Sequence, residues 1–249
     1  MRKLTSTFLA AFLIFLVAAP SLYAQQMKKS IQEIGPAAIV NFTALAQQEL
    51  INPPITAPRD AEADEDKHTG IPKKLKVPAD ATITQIELPT GTLRAQSPSP
   101  TLTFNGLLDN GQVIPPDVNG CVGLNHIMET LNSQYRIFSK TGSTVSTLSL
   151  SSFWSGISGS PFSDPHIEFD PVNNRWISII ISTLNNGHYG LFIGVSQTSD
   201  PTGNWFEYSI DTGSGSTIPD YPLLGFNTNW VVLTVNNFAN GISFSNVKV

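Results

Sequence analysis

"SDPHIEFDPVNNRW" (residues 163–176) holds two Asp-Pro pairs, a His and an Asn-Asn pair, and it runs directly into the apolar segment "ISIIIS". Pro fixes the bend of a turn, and Asp and Asn side chains accept hydrogen bonds from the backbone of such turns. β-Branched residues favour strands. The stretch therefore predicts a strand at His166–Phe169, a turn over residues 170–174 and a second strand from Arg175 onward.

Two other stretches repeat this pattern: "PPDVNGCVGLNHIMETLN" (Pro115–Asn132) and "IPDYPLLGFNTNWVVLTVN" (Ile218–Asn236). Each has an Asp beside a Pro, an Asn-containing turn, a His or Trp, and an apolar run. Successive Asp residues of the pattern stand 47 and 56 residues apart. Periods near 40–50 residues with about four strands each are typical of β-propeller blades. We therefore expect an all-β chain, a β-propeller of four-stranded blades, with units near residues 115–150, 162–211 and 218–249.

The third unit supplies only three strands before the sequence stops at Val249. A blade buries its faces only against neighbouring blades, and propellers close with about 4–8 of them. About three blades would leave two broad apolar faces open. The expectation from the sequence is thus an incomplete propeller, a fragment of a longer protein.

The first 24 residues have the pattern of a secretory signal peptide. Arg2 and Lys3 precede an apolar run from Phe8 to Ala19, and small residues follow near Ala24. The run is too short to span a bilayer of about 30 Å comfortably, and no later stretch is long and apolar enough. We expect a protein that is secreted or held at the cell surface after crossing the periplasm, with no transmembrane segment once the signal is removed.

Residues 25–98 differ in composition from the rest, with most of the Lys, scattered Pro and an acidic run at Arg59–His68. Such composition favours a low-complexity linker or a propeptide over a packed domain. A short helix is predicted near Ile39–Leu50. Two alternating stretches remain open as the strand that closes the ring, Thr82–Leu88 and Thr101–Leu108.

The charge balance limits the partners. Without residues 1–24 the chain has 12 Lys and Arg against 19 Asp and Glu, and residues 99–249 contain only four cations against ten carboxylates. This excludes binding to a nucleic-acid backbone. Neutral glycans, cations or protein surfaces are the expected partners. The single cysteine, Cys121, allows no internal disulfide, and its small neighbours predict a buried thiol.

Four segments together carry a family resemblance: "PPDVNGCVGLNHIMETLNSQYRIFSKTG", "SDPHIEFDPVNNRWI", "GVSQTSDPTGNWFEYSID" and "PDYPLLGFNTNWVVLTVNNF". They resemble large secreted bacterial proteins, often from Bacteroidetes-type bacteria, that are described as sialidase-like or other β-propeller proteins. The resemblance covers roughly residues 105–240 and implies an exported propeller without supplying a reaction. A looser similarity joins the Asp-Pro strand starts to five-bladed furanosidase and xylosidase enzymes.

Asp117, Asp164 and Asp220 recur where the innermost strand of each blade would begin, on one rim of the propeller channel. Carboxylates there could act as acid, base or nucleophile in glycoside cleavage, which needs two of them. His166 follows directly and completes the catalytic candidates. The alternative is that each Asp caps a turn, and its repetition in every unit favours that structural role.

Ligand contacts are expected from Trp154, His166 and Asn119. Trp154 lies in a long Gly/Ser-rich connection, Ser151–Asp164, and such loops often carry function. Calcium is the metal that Asp117 and Asn119 would suit, because it prefers oxygen ligands.

The resulting hypothesis is a secreted or cell-surface binding module for glycan or another extracellular polymer. A sialidase-like or furanosidase/xylosidase-like glycoside hydrolase and a structural or adhesive surface module are the alternatives, so the question of enzymatic activity stays open.

Overall fold

The structure is a computed structural model that describes residues 34–54, 60–61 and 98–249. The predicted signal peptide and the candidate strand Thr82–Leu88 lie outside the described residues. Among the residues that are described, no helix has both the length and the apolar character needed to cross a membrane.

The first described elements are short. They are strand β1 Ala38–Asn41, helix α1 Phe42–Ile51, strand β2 Asp60–Ala61 and strand β3 Val113–Ile114. β2 and β3 pair in parallel. All other strands form three antiparallel sheets, one for each predicted repeat unit.

Sheet I consists of β4 Asn119–Val122, β5 His126–Thr130, β6 Gln134–Ser139 and β7 Thr144–Ser149. A short helix, α2 Leu150–Phe153, and a 3-10 turn, Trp154–Gly156, follow it. Sheet II contains β8 Gly159–Asp170, β9 Arg175–Leu184, β10 Tyr189–Ser196 and β11 Asn204–Asp211. Sheet III contains β12 Thr217–Phe226, β13 Val231–Ala239 and β14 Ser243–Lys248. In sheets I, II and III, strands that are consecutive in sequence are neighbours. Most of the described elements are strands and the helices are short, so the all-β prediction is confirmed.

The predicted turn between the first two strands of sheet II is built around Asp170. Its carboxylate accepts hydrogen bonds from the Val172 and Asn173 backbone N–H groups and from the Asn173 side chain. Burial acts to raise the pKa of Asp170, but these hydrogen bonds hold it below its ordinary value. Asp170 is therefore a turn residue, as the sequence indicates.

The core between sheets I and II is aromatic, and Trp154 is at its centre. Its side chain is fully buried, packs edge-on against Phe153 at 4.9 Å between ring centroids, and donates from Nε1 to the Tyr135 hydroxyl at 3.2 Å. Phe153 also packs against Trp205 at 5.3 Å. The prediction of Trp154 as a ligand contact is wrong, because the Ser151–Asp164 connection inserts its rings into the core.

Residues 34–54 form part of this packed unit, although the sequence places them in a linker or propeptide. β1 pairs antiparallel with β11 as a fifth strand on the outer edge of sheet II. The Asn41 side chain caps α1 by accepting from Ala44 N–H, and Phe42 is fully buried. The predicted helix begins at Phe42 rather than Ile39, because the preceding residues are taken up by strand pairing.

Thr101–Leu108 is not a strand, and it does not close a ring. The segment lies against sheet I, where the Phe104 ring packs on Phe138 at 5.5 Å between centroids. Leu107 is buried and its N–H donates to the Glu129 carboxylate.

Sheets I and II interlock at Gly123, which directly follows β4. A Cβ atom at this position would lie 2.3 Å from Cζ2 of Trp176, the first buried ring of β9. Trp176 is fixed by Phe169, at 5.0 Å between ring centroids, and by its Nε1 hydrogen bond to the Ser199 carbonyl at 2.9 Å. The ring cannot yield to an added methyl group.

We expect Gly123→Ala to lower the free energy of unfolding by about 1–3 kcal/mol, the usual effect of overpacking. Urea denaturation of the full chain measures this. Gly225→Ala is the matched control, since a Cβ there meets nothing within 4 Å. Equal stability of the two variants would show that the sheets do not interlock here.

Glu207 on β11 is a fully buried carboxyl group whose two oxygens have no hydrogen-bond partner among the residues that the structure describes. It lies opposite Ala38 of β1 and Gly194 of β10, and Gly156 packs close to its Oε2 atom. Burial disfavours the charged form and raises the pKa of Glu207 to about 8.

The pKa of Glu207 is higher in the folded protein than the unfolded value of 4.5, so the folded state binds this proton more tightly than the unfolded state does. We expect stability to fall as pH rises from about 4.5 to about 8. Glu207→Gln should remove that fall and exceed wild-type stability by on the order of 2–4 kcal/mol at about pH 9. Thermal unfolding across pH measures this, with the partly exposed Glu168→Gln as control. A pH profile unaltered by Glu207→Gln would contradict it.

Candidate functional site

The first strands of the three sheets are neighbours: β4 contacts β8, and β8 contacts β12. Residues just before β4 and inside β8 and β12 border a cavity of about 680 Å³. The polar and aromatic side chains around it include Asp117, Asn119, Asp164, His166, Asp220 and Tyr221. The structure thus brings together all four predicted catalytic candidates and two of the three predicted ligand contacts.

Three residues of the cavity wall have left-handed backbone conformations: Asp117, which precedes β4, at φ 45°, Asp164 inside β8 at φ 54° and Tyr221 inside β12 at φ 50°. Asp164 and Tyr221 both lie where the register of their strand is irregular. Asp tolerates this region, whereas an aromatic residue rarely enters it. The residue of sheet III that corresponds to Asp164 is therefore Tyr221, and each is followed by a Pro. Aligning Asp220 with Asp164, as the sequence pattern suggests, is off by one position, since β12 has an irregular register next to Asp220.

A chain of hydrogen bonds links these three positions across the sheets. Asn132 of sheet I donates to Asp117 Oδ2 at 2.8 Å and accepts from the Asp164 N–H at 2.8 Å. Asp164 Oδ2 then accepts from the Tyr221 N–H at 3.0 Å. The turn-capping alternative therefore holds in part, but Asp164 satisfies the backbone of the next sheet rather than its own turn.

The charge of Asp220 affects the pKa of the neighbouring Asp164 carboxyl group. Burial raises the pKa of Asp164 to about 6, helped by the negative charges of Asp220 and Asp117 and by a hydrogen bond that protonated Asp164 makes with Asp220. The Tyr221 N–H acts in the opposite direction. Below about pH 6 the pair holds a proton, and above it the cavity gains a further negative charge.

His166 is held between an amide and a carboxylate. Asn119 Oδ1 accepts the Ile167 N–H at 2.8 Å, so its Nδ2 faces His166 Nδ1 at 3.3 Å. Nδ1 is therefore the accepting nitrogen, and Nε2 donates to Glu168 Oε1 at 3.2 Å. This arrangement fixes the tautomer and the orientation of the ring at the cavity wall.

The predicted calcium ligands lie side by side at the cavity but are partly engaged. The Asn119 oxygen accepts the Ile167 N–H, and one oxygen of Asp117 accepts from Asn132. Within the described residues, no group of three or more His, Cys, Asp and Glu side chains could hold a metal ion. Calcium at Asp117 and Asn119 stays a prediction.

Sequence reasoning missed two residues of the site, Tyr221 and Glu168. The Tyr221 side chain is 62 % exposed at the cavity, and Glu168 orients His166. The only signal for Tyr221 is that it precedes Pro222 as Asp164 precedes Pro165. Cys121, predicted as a buried thiol, is only partly buried and packs against the core between sheets I and II. Desolvation, reinforced by the Glu168 charge, raises the pKa of its thiol well above the usual range.

No protein-family model matches the chain, and neither a curated protein nor a solved structure matches it. The resemblance to secreted bacterial propeller proteins therefore rests on the sequence motifs alone. The function must be argued from the geometry and the charge of the cavity.

Replacing Asp220 by Asn should lower the pKa of Asp164, because it removes the neighbouring negative charge. Carboxyl-carbon NMR titration of the full chain measures this pKa directly. Asp211→Asn is the control, since Asp211 is an exposed residue outside the cavity lining whose hydrogen bonds are with Asn186, His188 and Gly213. An unchanged or higher Asp164 pKa in Asp220→Asn would show that the two carboxyl groups are not coupled.

Proposed function

We propose that the chain is part of a secreted or cell-surface β-propeller whose cavity binds glycan or a similar extracellular polymer. Sheets I to III would be its blades, which their consecutive strand order and neighbouring first strands support. The observation that carries the proposal is Tyr221, an exposed aromatic ring held at the cavity rim by a left-handed backbone.

Holding a non-glycine residue in this conformation costs about 1–3 kcal/mol, and such strain clusters at ligand sites. The strain at Tyr221 persists because its N–H is bonded to Asp164 and Pro222 follows it. Burial of the ring does not offset the cost of this backbone conformation, since Tyr221 remains 62 % exposed. A ligand that stacks on the ring would offset this cost.

The groups around the ring suit a polyhydroxylated ligand. A sugar has an apolar face that can lie on an aromatic ring, and hydroxyl groups that donate to carboxylates. Asp117 and Asp220 supply acceptors on the same cavity wall as Tyr221. Concave sites of this size with a few convergent polar groups commonly hold small ligands or one unit of a polymer.

Binding is favoured over cleavage because the Asp164 carboxyl group already has a structural role. One of its oxygens accepts the Tyr221 N–H at 3.0 Å. Glycoside cleavage needs two carboxyl groups that are both available to the scissile bond.

The glycoside hydrolase alternative has one observation in its favour, the raised pKa of Asp164. A carboxyl group that keeps its proton to about pH 6 can serve as a general acid. In that case Asp164→Asn would abolish release of reducing sugar from a glycan panel. If wild type releases none and still binds glycan, the hydrolase alternative is excluded.

We expect Tyr221→Ala to weaken glycan binding about tenfold or more, since aromatic contacts and their buried area contribute on the order of 1–3 kcal/mol. Calorimetric titration of the full chain with neutral oligosaccharides measures the affinity. Trp230→Ala is the matched control, because this ring is also exposed, at 71 %, but lies outside the cavity lining. If Tyr221→Ala binds like wild type, Tyr221 is not a ligand platform.

A further inference from the structure

We infer that the cavity selects glycans that carry ammonium groups, such as polymers of amino sugars, over neutral glycans, and that it rejects anionic ones. This inference rests on the proposed function and names the ligand class of the same site. It is carried by the charges of the cavity wall together with the exposed ring of Tyr221.

Among the residues that the structure describes, the cavity wall carries carboxyl groups and no basic side chain. Asp117, Asp164 and Asp220 line it, and no Lys or Arg is among its lining residues. Three of the four basic residues after position 99 are engaged elsewhere. Arg136 bonds Thr147, Arg175 bonds backbone carbonyls of its own turn, and Lys248 approaches the Thr212 carbonyl.

The three carboxyl groups line one cavity, and the negative charges of Asp220 and Asp117 raise the pKa of Asp164. Opposite charge in such a site is stabilised, and like charge is repelled, more strongly than in open water. An ammonium group would relieve the repulsion among the three carboxyl groups. The carboxylate of a uronic or sialic acid would add to it, so the cavity disfavours sialic acid despite the sialidase-like sequence resemblance.

Tyr221 adds a second preference for the same ligand. The face of an aromatic ring attracts a cation that lies over it, and this effect adds to stacking of an apolar surface. An amino sugar offers both a ring that stacks and an ammonium group next to it.

The test uses the full chain and three probes of equal length: a glucosamine oligomer, its fully N-acetylated counterpart and a galacturonate oligomer. Titrations are run at low salt and about pH 6, where most of the amino-sugar ammonium groups are charged. We expect the glucosamine oligomer to bind at least about tenfold more tightly than the N-acetylated one, which corresponds to about 1.4 kcal/mol. The galacturonate oligomer should show no measurable binding.

Asp220→Asn and Asp117→Asn should each weaken binding of the glucosamine oligomer more than binding of the N-acetylated oligomer, because each removes a negative charge whereas the Asn oxygen can still accept from hydroxyl groups. Two variants are used so that a folding defect in one, checked by thermal unfolding, leaves the other to decide. Asp211→Asn, exposed and outside the cavity, should behave like wild type.

Each outcome is decisive. Equal affinity for the glucosamine and N-acetylated oligomers, or a preference that survives both cavity variants, overturns this inference and leaves the proposed glycan binding intact. Tighter binding of the galacturonate oligomer also overturns it. Failure of all three oligomers to bind contradicts the proposed function itself.

Discussion

The structure depends on how Asp164 is bonded at the irregular point in the middle of β8. Its N–H donates to Asn132 of sheet I, and its carboxylate accepts the N–H of Tyr221 in sheet III. One residue therefore joins three sheets. It can do so because its left-handed backbone turns both groups away from its own strand, and Asp is one of the few residues that tolerate this conformation.

The same hydrogen bonds join residues of the cavity wall. Asp117, Asp164 and Asp220 line this wall together, and burial, helped by the charges of Asp220 and Asp117, raises the pKa of Asp164. The site is asymmetric although the sheets repeat, since the third sheet places an aromatic ring where the other two place Asp. Repetition builds the scaffold, and this single departure from it supplies the feature most suited to a ligand.

The strands were predictable because their signals are local. Asp170 and its neighbours form the turn that their residue types indicate, and the apolar run after it is β9. The edge strand β1 was not predictable, since four residues carry too little periodicity. The role of Trp154 also escaped sequence reasoning: a Gly/Ser-rich connection resembles a binding loop until its aromatic rings are seen inside the core.

The sequence by itself determined the all-β character and the turn at Asp170, but the first strand of sheet II begins at Gly159 rather than at the predicted His166. Turn chemistry and side-chain alternation act over a few residues, so one sequence suffices to detect them. Only the tertiary structure decided that Tyr221 rather than Asp220 corresponds to Asp164. It also decided that Glu207 is buried with no hydrogen-bond partner among the described residues. Strand register and burial are set by residues far apart in the chain, and no local pattern records them.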